Sequence, residues 1–404
     1  MSILVQKFGG TSVASYEKMN EVCKIVERYK EKNLDLVLVV SAMGRKGAPY
    51  ATDTLIDLCS AINDKPSKRE NDLIMSCGEI ISGTILVNML KSKGIEAIFL
   101  TGQQAGILTS DEFSNARIKY INPKRIQEEV KQGKVVVIAG FQGATEDGEI
   151  TTLGRGGSDT SAVAIGKALG SETVEIYTDV DGIMTADPRV EPRAKVLDFI
   201  SYEEVFQMAD KGAKVIHPRA VQLAKDGNIT LVIKNTLNPT YEGTKIGSSS
   251  GYKNIDSEYE GQDDFIAAVA NKDKVVQVKI KSEEDIFTEV LNEIENRNIS
   301  IDMINFFISE KAFVTDEADI EELEEILNKF DLEYKINGKC AKVTLIGSKI
   351  TGVSGVMAKI VRGLSKAGIS LLQTSDSNMT ISCLVHEKDM QKAVNAIHGE
   401  FYKK

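Results

Sequence analysis

The chain has 404 residues, 42% of them hydrophobic and 27% charged, with a formal net charge of -10. At roughly 100–200 residues per domain this length holds two to four domains with full cores. The acidic balance argues against nucleic acid or an anionic membrane as the principal partner. Five scattered cysteines (Cys23, Cys59, Cys77, Cys340, Cys383) without a C-x-x-C pair fit a reducing cytosol. Three dispersed histidines (His217, His386, His398) are too few for a zinc site. Met1–Gly10 lacks the pattern of a secretion signal, and the apolar runs Leu34–Val40 and Val135–Phe141 fall far short of the ~20 residues of a membrane helix. The expectation is a cytoplasmic protein with no protein-built metal site, no nucleic-acid partner and no membrane span.

In chain order, Ser2–Phe8 reads as a short strand that runs straight into Gly9-Gly10-Thr11-Ser12. A helix over Val13–Lys30 follows, with Val22, Ile25, Val26 and Tyr29 on one face. Leu34–Val40 is a near-continuous apolar strand, as expected of a parallel strand buried on both sides, and ends at Ser41-Ala-Met-Gly44. Thr54–Ile62 and Arg69–Lys91 read as helices and Ala97–Leu100 as a strand. Lys134–Ala139 is another buried strand, ending in Gly140-Phe-Gln-Gly143. The loop Thr151–Asp159 opens a small-residue helix, Thr160–Leu169. Strand Thr173–Thr178 ends in Asp179, and Tyr202–Ala209, Val221–Lys225 and Ile229–Lys234 read as helix, helix and strand. This alternation implies an α/β fold with a largely parallel, helix-covered sheet. Ligands of such sheets bind beyond the carboxyl ends of the strands, where Lys7, Ser41, Gly140, Asp179 and the Thr151–Asp159 loop all fall.

Composition shifts over Asn238–Gln262 to Gly, Ser, Tyr, Asn and Asp, the signature of a linker or crossover. Beyond it lies an approximate repeat. Lys274–Ile280, a helix Asp285–Arg297 and Ile299–Ile304 form one copy; Cys340–Ile346, a helix Val353–Ala367 and Ile369–Gln373 form the next. Strands Lys311–Thr315 and Met379–Val385 and helices Asp319–Phe330 and Lys388–Phe401 complete β-α-β-β-α units, which pack helices on one face of an antiparallel sheet. Two such copies suggest a regulatory module or a dimerising one.

The chemistry concentrates in two glycine sites. In Thr151-Thr-Leu-Gly-Arg-Gly-Gly-Ser-Asp159, Gly154, Gly156 and Gly157 let backbone approach an anion, the following helix start points amides at it, and Arg155 adds a planar fork. A glycine turn merely capped by Ser158 or Asp159 would look the same. Lys7-Phe-Gly-Gly-Thr-Ser12 supplies a lysine at a strand end and a second glycine turn. Phosphoryl transfer needs such amides and such a cation, although no G-x-x-x-x-G-K-[ST] occurs. Thr178–Arg189 is dense in carboxylates, either as a turn cluster or as the seat of a purine and ribose. Lys214, in Gly212-Ala-Lys-Val-Ile-His-Pro218, is uninformative by itself. Glu79, in an apolar helical stretch after Ser76-Cys-Gly, either snorkels or pairs with a cationic ligand group such as an ammonium.

Together with Val40-Ser-Ala-Met-Gly44, Gly78-Glu79, Thr178-Asp179 and Asp187-Pro-Arg189, these motifs stand in an order that resembles the aspartokinase family over essentially the whole chain. The resemblance implies an amino-acid-kinase three-layer αβα sandwich over 1–240, a linker over 241–262, and two ACT domains over 263–335 and 336–404. It implies phosphorylation of the L-aspartate side-chain carboxylate by ATP, with Mg2+ held mainly through the nucleotide. In that scheme Lys7 stabilises the transferred phosphoryl group and Asp159 orients groups beside it. Phe8, Gly9, Gly10, Ser41, Thr178, Asp179, Met184, Arg189 and Lys214 line the nucleotide. Thr11, Ser12, Glu79, Arg155, Gly156, Gly157 and Ser158 face aspartate, Glu79 on its ammonium and Arg155 on its α-carboxylate. A regulatory amino acid (diaminopimelate, lysine or threonine) is expected near Asp302, Met303, Asn305, Ile350, Thr351, Gly352, Val353, Thr374 and Asp376, in a homodimer or larger assembly built through the ACT units. The chain departs from many members at Met184, where Tyr is common. The tail Leu372–Asn378 is similar to the shorter, diaminopimelate-inhibited members. Rival readings are a kinase of the same fold acting on glutamate, UMP or carbamate, a non-enzymatic amino-acid sensor, and an oxidoreductase. The last lacks a G-x-G-x-x-G after a strand.

Overall fold

A computed structural model describes residues 3–213, 216–248, 266–308, 310–348, 350 and 353–402, and every count below is of these residues. They form two compact units, one of residues 3–183, 196–206 and 216–248 and the other of 184–195, 207–213 and 266–402.

The first unit is built on β1 (Ile3–Phe8), α1 (Tyr16–Glu31), β2 (Asp35–Val40), α2 (Thr52–Ser60), α3 (Lys68–Ser92), β3 (Ala97–Leu100), β4 (Ile107–Thr109), β5 (Ile118–Ile121), α4 (Lys124–Lys131), β6 (Val135–Ala139), β7 (Gln142–Ala144), β8 (Ile150–Thr152), α5 (Gly157–Leu169) and β9 (Thr173–Thr178). β10 (Phe199–Ser201), α6 (Tyr202–Asp210), α7 (Pro218–Gly227), β11 (Thr230–Asn235) and β12 (Thr244–Gly247) follow. Eight strands lie in the order β10-β12-β11-β9-β1-β2-β6-β3, parallel from β11 to β3 and antiparallel only at the β11–β12 pair. A smaller sheet, β5-β4-β7-β8, carries the chain into the glycine-rich loop. β12 lies inside the stretch 241–262 read as linker: its alternating Thr244 and Ile246 find a place against β11.

Side chains from β1, β2, β6, α1 and α3 share one core that includes Val22, Ile25, Leu36, Leu38, Leu86 and Val137, all fully buried. Truncating a core leucine such as Leu38 to alanine costs about 2–5 kcal/mol. α3 is long and apolar enough to cross a membrane by length and composition, but it packs against β3, β6, β8 and α1 as a core helix.

The second unit contains β13 (Ile266–Lys281), α8 (Glu284–Asn296), β14 (Ile301–Phe306), β15 (Lys311–Asp316), α9 (Ile320–Lys329), β16 (Glu333–Gly347), α10 (Val356–Lys366), β17 (Gln373–Asp376), β18 (Thr380–His386) and α11 (Met390–Phe401). Its sheet runs β14-β15-β13-β16-β18-β17, antiparallel throughout. The two repeats interleave. The start of β13, Ile266 to Ala270, pairs with Gly347 to Thr344, and Ile266 and Val269 enter the core built by Val343, Leu345, Ile360, Leu364, Val385 and Ile397. After a register shift between Lys272 and Val275, with Lys274 at φ 54°, the same strand joins the other core with Val276, Val278, Phe287, Phe313 and Leu323. The expected boundaries 263–335 and 336–404 therefore cut across paired strands.

Candidate active site

Strands β9, β1, β2 and β6 are consecutive in the sheet, and their carboxyl ends form one row. Phe8 stands beside both Tyr177 and Val40, and Val40 beside Ala139. Lys7, Ser41, Gly140 and Thr178 therefore share one edge, as α/β ligand sites require.

At the centre, Lys7 Nζ lies 2.7 Å from Asp159 Oδ1, with the side chains only 12% and 16% exposed. The pair is close but not aligned as a hydrogen bond, so Asp159 Oδ1 keeps acceptor capacity. Gly9 donates to the Tyr177 carbonyl at 3.2 Å. A Cβ at Gly10 would stand 2.8 Å from the Ala42 and Gly44 carbonyls, so glycine alone lets the β1 turn lie against the β2 loop. Thr11 is half-buried. Phe8 is fully buried, stacked on Tyr177 at 4.8 Å, and its carbonyl accepts from Ser41 N–H; it presents no side chain to the edge. Ser12 is also turned inward, its hydroxyl 2.7 Å from Thr236 Oγ1.

The glycine-rich loop begins its helix three residues earlier than the sequence pattern suggested. Gly156, at φ 69°, is the N-cap of α5, and Asp159 lies in its first turn. The early start places the amides of Gly157 and Ser158 at the positive end of the helix. Ser158 sits against Gly140, where any Cβ would be 2.9 Å from the serine Cβ. Phe141 holds φ 68°, an uncommon conformation for a non-glycine residue. It is locked there because its N–H donates to Ser161 Oγ at 3.0 Å and its carbonyl accepts from Leu153 N–H at 2.8 Å. Arg155 is exposed and makes no ion pair among the described residues.

Glu79 is 2% exposed on α3. Its Oε1 accepts the Ala42 N–H at 3.0 Å, while Oε2 is buried with no hydrogen-bond partner among the described residues. Burial pushes its carboxyl up to about 8, against the opposing pull of that backbone bond. An ammonium delivered by a ligand would satisfy both the orphaned oxygen and the charge.

Several supporting residues were not singled out from the sequence. Asp72, one helix face with Ser76, Glu79 and Ser82, accepts four hydrogen bonds, from the N–H and hydroxyl of Ser114 and of Thr152, and so pins β8 at the mouth of the glycine loop. Ser82 donates to the Ser41 carbonyl at 2.7 Å. His217, N-cap of α7 through Nδ1, lies where a Cβ on Gly156 would clash at 2.2 Å; desolvation lowers its pKa. Arg219 bonds the Leu153 carbonyl and Asn115. The legible signal was the polar series Asp72, Ser76, Glu79, Ser82 at spacings of four, three and three in an apolar helix.

Of the remaining nucleotide candidates, Thr178 is half-buried, Asp179 is exposed and ion-paired with Arg45, and Lys214 lies outside the described residues. Met184 and Arg189 belong to the second unit. There Arg189 forks onto Asp187, whose carboxyl it holds below its usual range. Residues 184–195 are fastened to α11: Thr185 Oγ1 and His398 Nε2 are 2.9 Å apart, and Glu191, bound by Arg193, is buried beside them. Among the effector candidates, Asp302 is ion-paired with Lys342. Met303 is buried at φ 53°. Gln373 Nε2, at the start of β17, donates to the Met303 carbonyl and to Asn305 Oδ1. Thr374 and Asp376 are on β17 beside it. Ile350 is instead in the helix-side core of the second repeat, Val353 is exposed, and Thr351 and Gly352 lie outside the described residues.

A parallel sheet whose central strand ends in a lysine and a glycine turn, faced by a glycine loop at a helix start, defines the amino acid kinase class, and the profile of that family matches residues 2–235. The ACT domain profile matches residues 335–399. Aspartokinase 1 of Bacillus subtilis is 42% identical over 404 residues, covering 99% of both chains. The chain belongs to the aspartokinase family and is a kinase. Two crystal structures of E. coli aspartokinase III share its fold at 24% identity. The complex with aspartate and ADP has a TM-score of 0.79 over the whole of both chains. The complex with lysine and aspartate has a TM-score of 0.74, over 99% of this chain and all of the other.

Proposed function

We propose that this chain transfers the γ-phosphoryl group of MgATP to the side-chain carboxylate of L-aspartate, giving 4-phospho-L-aspartate and ADP. The product feeds lysine, diaminopimelate, threonine and methionine synthesis. The observation that carries the substrate is Glu79. A buried carboxyl with an orphaned oxygen and a raised pKa suits an amino-acid ammonium and has no use for UMP or carbamate. Arg155, without an ion pair among the described residues, suits the α-carboxylate. The B. subtilis relative's name and the aspartate and ADP held by the E. coli neighbour support the same reading.

The acceptor carboxylate is already a nucleophile at neutral pH. One of its oxygens bonds to the γ-phosphorus while the bond to the β-phosphate oxygen breaks, and no proton needs to move. Catalysis is then positioning and charge neutralisation. Lys7, steered by Asp159, meets the transferred group; the Gly9, Gly10 and α5 amides hold phosphate or substrate oxygens. Magnesium enters as part of the nucleotide substrate, held mainly through phosphate oxygens and water.

Feedback by an amino acid acting on the second unit is supported by the ACT domain profile over residues 335–399; the E. coli neighbour is a complex with lysine and aspartate. Self-association is supported by β14, a sheet-edge strand that continues into exposed Phe306, Phe307 and Ile308. The test is ADP release with MgATP and L-aspartate, with and without lysine, threonine or diaminopimelate, beside Lys7→Ala. Aspartate-dependent release that disappears in Lys7→Ala is expected. Release with glutamate but not aspartate would overturn the substrate, and none with any acceptor would leave a sensor.

A further inference from the structure

Besides the magnesium carried by the nucleotide and Lys214, which lies outside the described residues, Lys7 is the one cation of the first unit so far assigned to the phosphates. ATP and aspartate are both anionic. Lys7 is already matched by Asp159 at 2.7 Å, Arg155 is committed to the acceptor, and Asp179 brings a further negative charge to the end of β9. A polyphosphate at this edge calls for another cation.

Arg45 stands at the right place. Its Nη2 lies 2.8 Å from Asp179 Oδ2, with the side chains 75% and 45% exposed. Arg45 follows β2, Asp179 follows β9, and β1 lies between those two strands. The ion pair therefore reaches across the carboxyl end of β1, over the Gly9–Gly10 turn. The loop carrying Arg45 is fixed to that turn, since Gly44 N–H donates to the Gly10 carbonyl at 3.0 Å. Two glycines with positive φ, Gly44 at 85° and Gly47 at 93°, bracket Arg45 and Lys46. So exposed a pair contributes little to stability, and a guanidinium exchanges readily from a carboxylate to the stronger, bidentate partnership of a phosphate.

We propose that Arg45 is a phosphate-reading residue of the kinase site. Asp179 holds it above the β1 turn in the free enzyme, and on nucleotide binding it passes to the terminal phosphates, supplying positive charge where the γ-phosphoryl group is transferred. The proposal rests on the kinase reading above for its nucleotide but not on the identity of the acceptor.

The test is calorimetric titration of the full chain with magnesium and AMP-PNP, ADP or AMP, comparing wild type with Arg45→Ala, Arg45→Lys and Lys46→Ala. Arg45→Ala should weaken AMP-PNP by about tenfold or more, ADP by less, and AMP by under about twofold, with Arg45→Lys recovering part of the loss and Lys46→Ala without effect. In turnover, Arg45→Ala should raise KM for MgATP and lower kcat while leaving KM for aspartate unchanged. Unchanged AMP-PNP affinity would reduce Arg45 to a surface ion pair. Equal weakening of AMP would mean a disturbed loop, and an equal effect of Lys46→Ala would mean general electrostatics; each overturns the proposal. A wild type that turns over no aspartate while Arg45→Ala still loses AMP-PNP selectively would sink the acceptor and leave Arg45 standing.

Discussion

Two carboxylates on α3, two turns apart on the same face, have opposite fates. Asp72 is fully buried, and both its oxygens are satisfied by the Ser114 and Thr152 donors. Glu79 is as deeply buried, yet one oxygen has no partner among the described residues, and its carboxyl is pushed up to about 8. Burial is the same, so burial alone does not distinguish the two carboxylates. The difference is satisfaction: a buried polar group left unpaired costs free energy and persists where something outside the chain completes it.

This contrast can be broken by mutation. Asp72→Ala leaves the Ser114 and Thr152 amides unpaired and should cost about 2–4 kcal/mol of stability, read as an earlier chemical-denaturation midpoint, with aspartate affinity falling only as the glycine loop loosens. A neutral midpoint would mean water replaces the carboxylate. Glu79→Gln should do the reverse. It should lower kcat/KM for aspartate roughly 100-fold, about 2.7 kcal/mol, while raising the melting temperature at pH 8.

The sign of that rise follows from linkage. An acid whose folded pKa lies above its ordinary 4.5 holds extra protons in the native state, so stability falls as pH rises from about 4.5 to about 8. The glutamine variant escapes this loss. By the same argument the wild-type KM for aspartate should fall with rising pH, at most roughly tenfold per unit, and level off near 8, because only ionised Glu79 pairs with the ammonium. A flat profile in the wild type would remove Glu79 from the ammonium site. The smallest effect is expected at the exposed start of α3, where Arg69 pairs with Glu70 and Glu149. Arg69→Ala should leave the melting temperature within about 1 °C.

The two glycine sites were legible because their chemistry is local. Lys7 at a strand end, the glycines of Gly154–Gly157 and Asp159 inside a helix start are dictated by backbone geometry within a few residues, and the structure brings them to one edge. Glu79 was legible as a charge stranded in an apolar helix. Asp72 shares that polar series, but its role was not legible: its partners lie 42 and 80 residues away, and only the folded chain shows them. Ser12 shows the converse, since K-F-G-G-T-S reads as wholly ligand-facing, yet the turn rotates its hydroxyl into the core toward Thr236, 224 residues on.

The sequence by itself determined the alternation of strands and helices, the parallel sheet, the gathering of Lys7, Ser41 and Gly140 at one sheet edge and the existence of two β-α-β-β-α repeats, because periodicity and glycine sterics act over a few residues. Only the tertiary structure decided that the start of β13 completes the core of the later repeat, that β12 joins the first sheet, that residues 184–195 fasten to α11, and that Arg45 crosses above β1 to Asp179. Each of these depends on pairing between segments far apart in the chain. A strand's own alternation selects which face is buried, but the choice among partners is made by the cores that those partners jointly build.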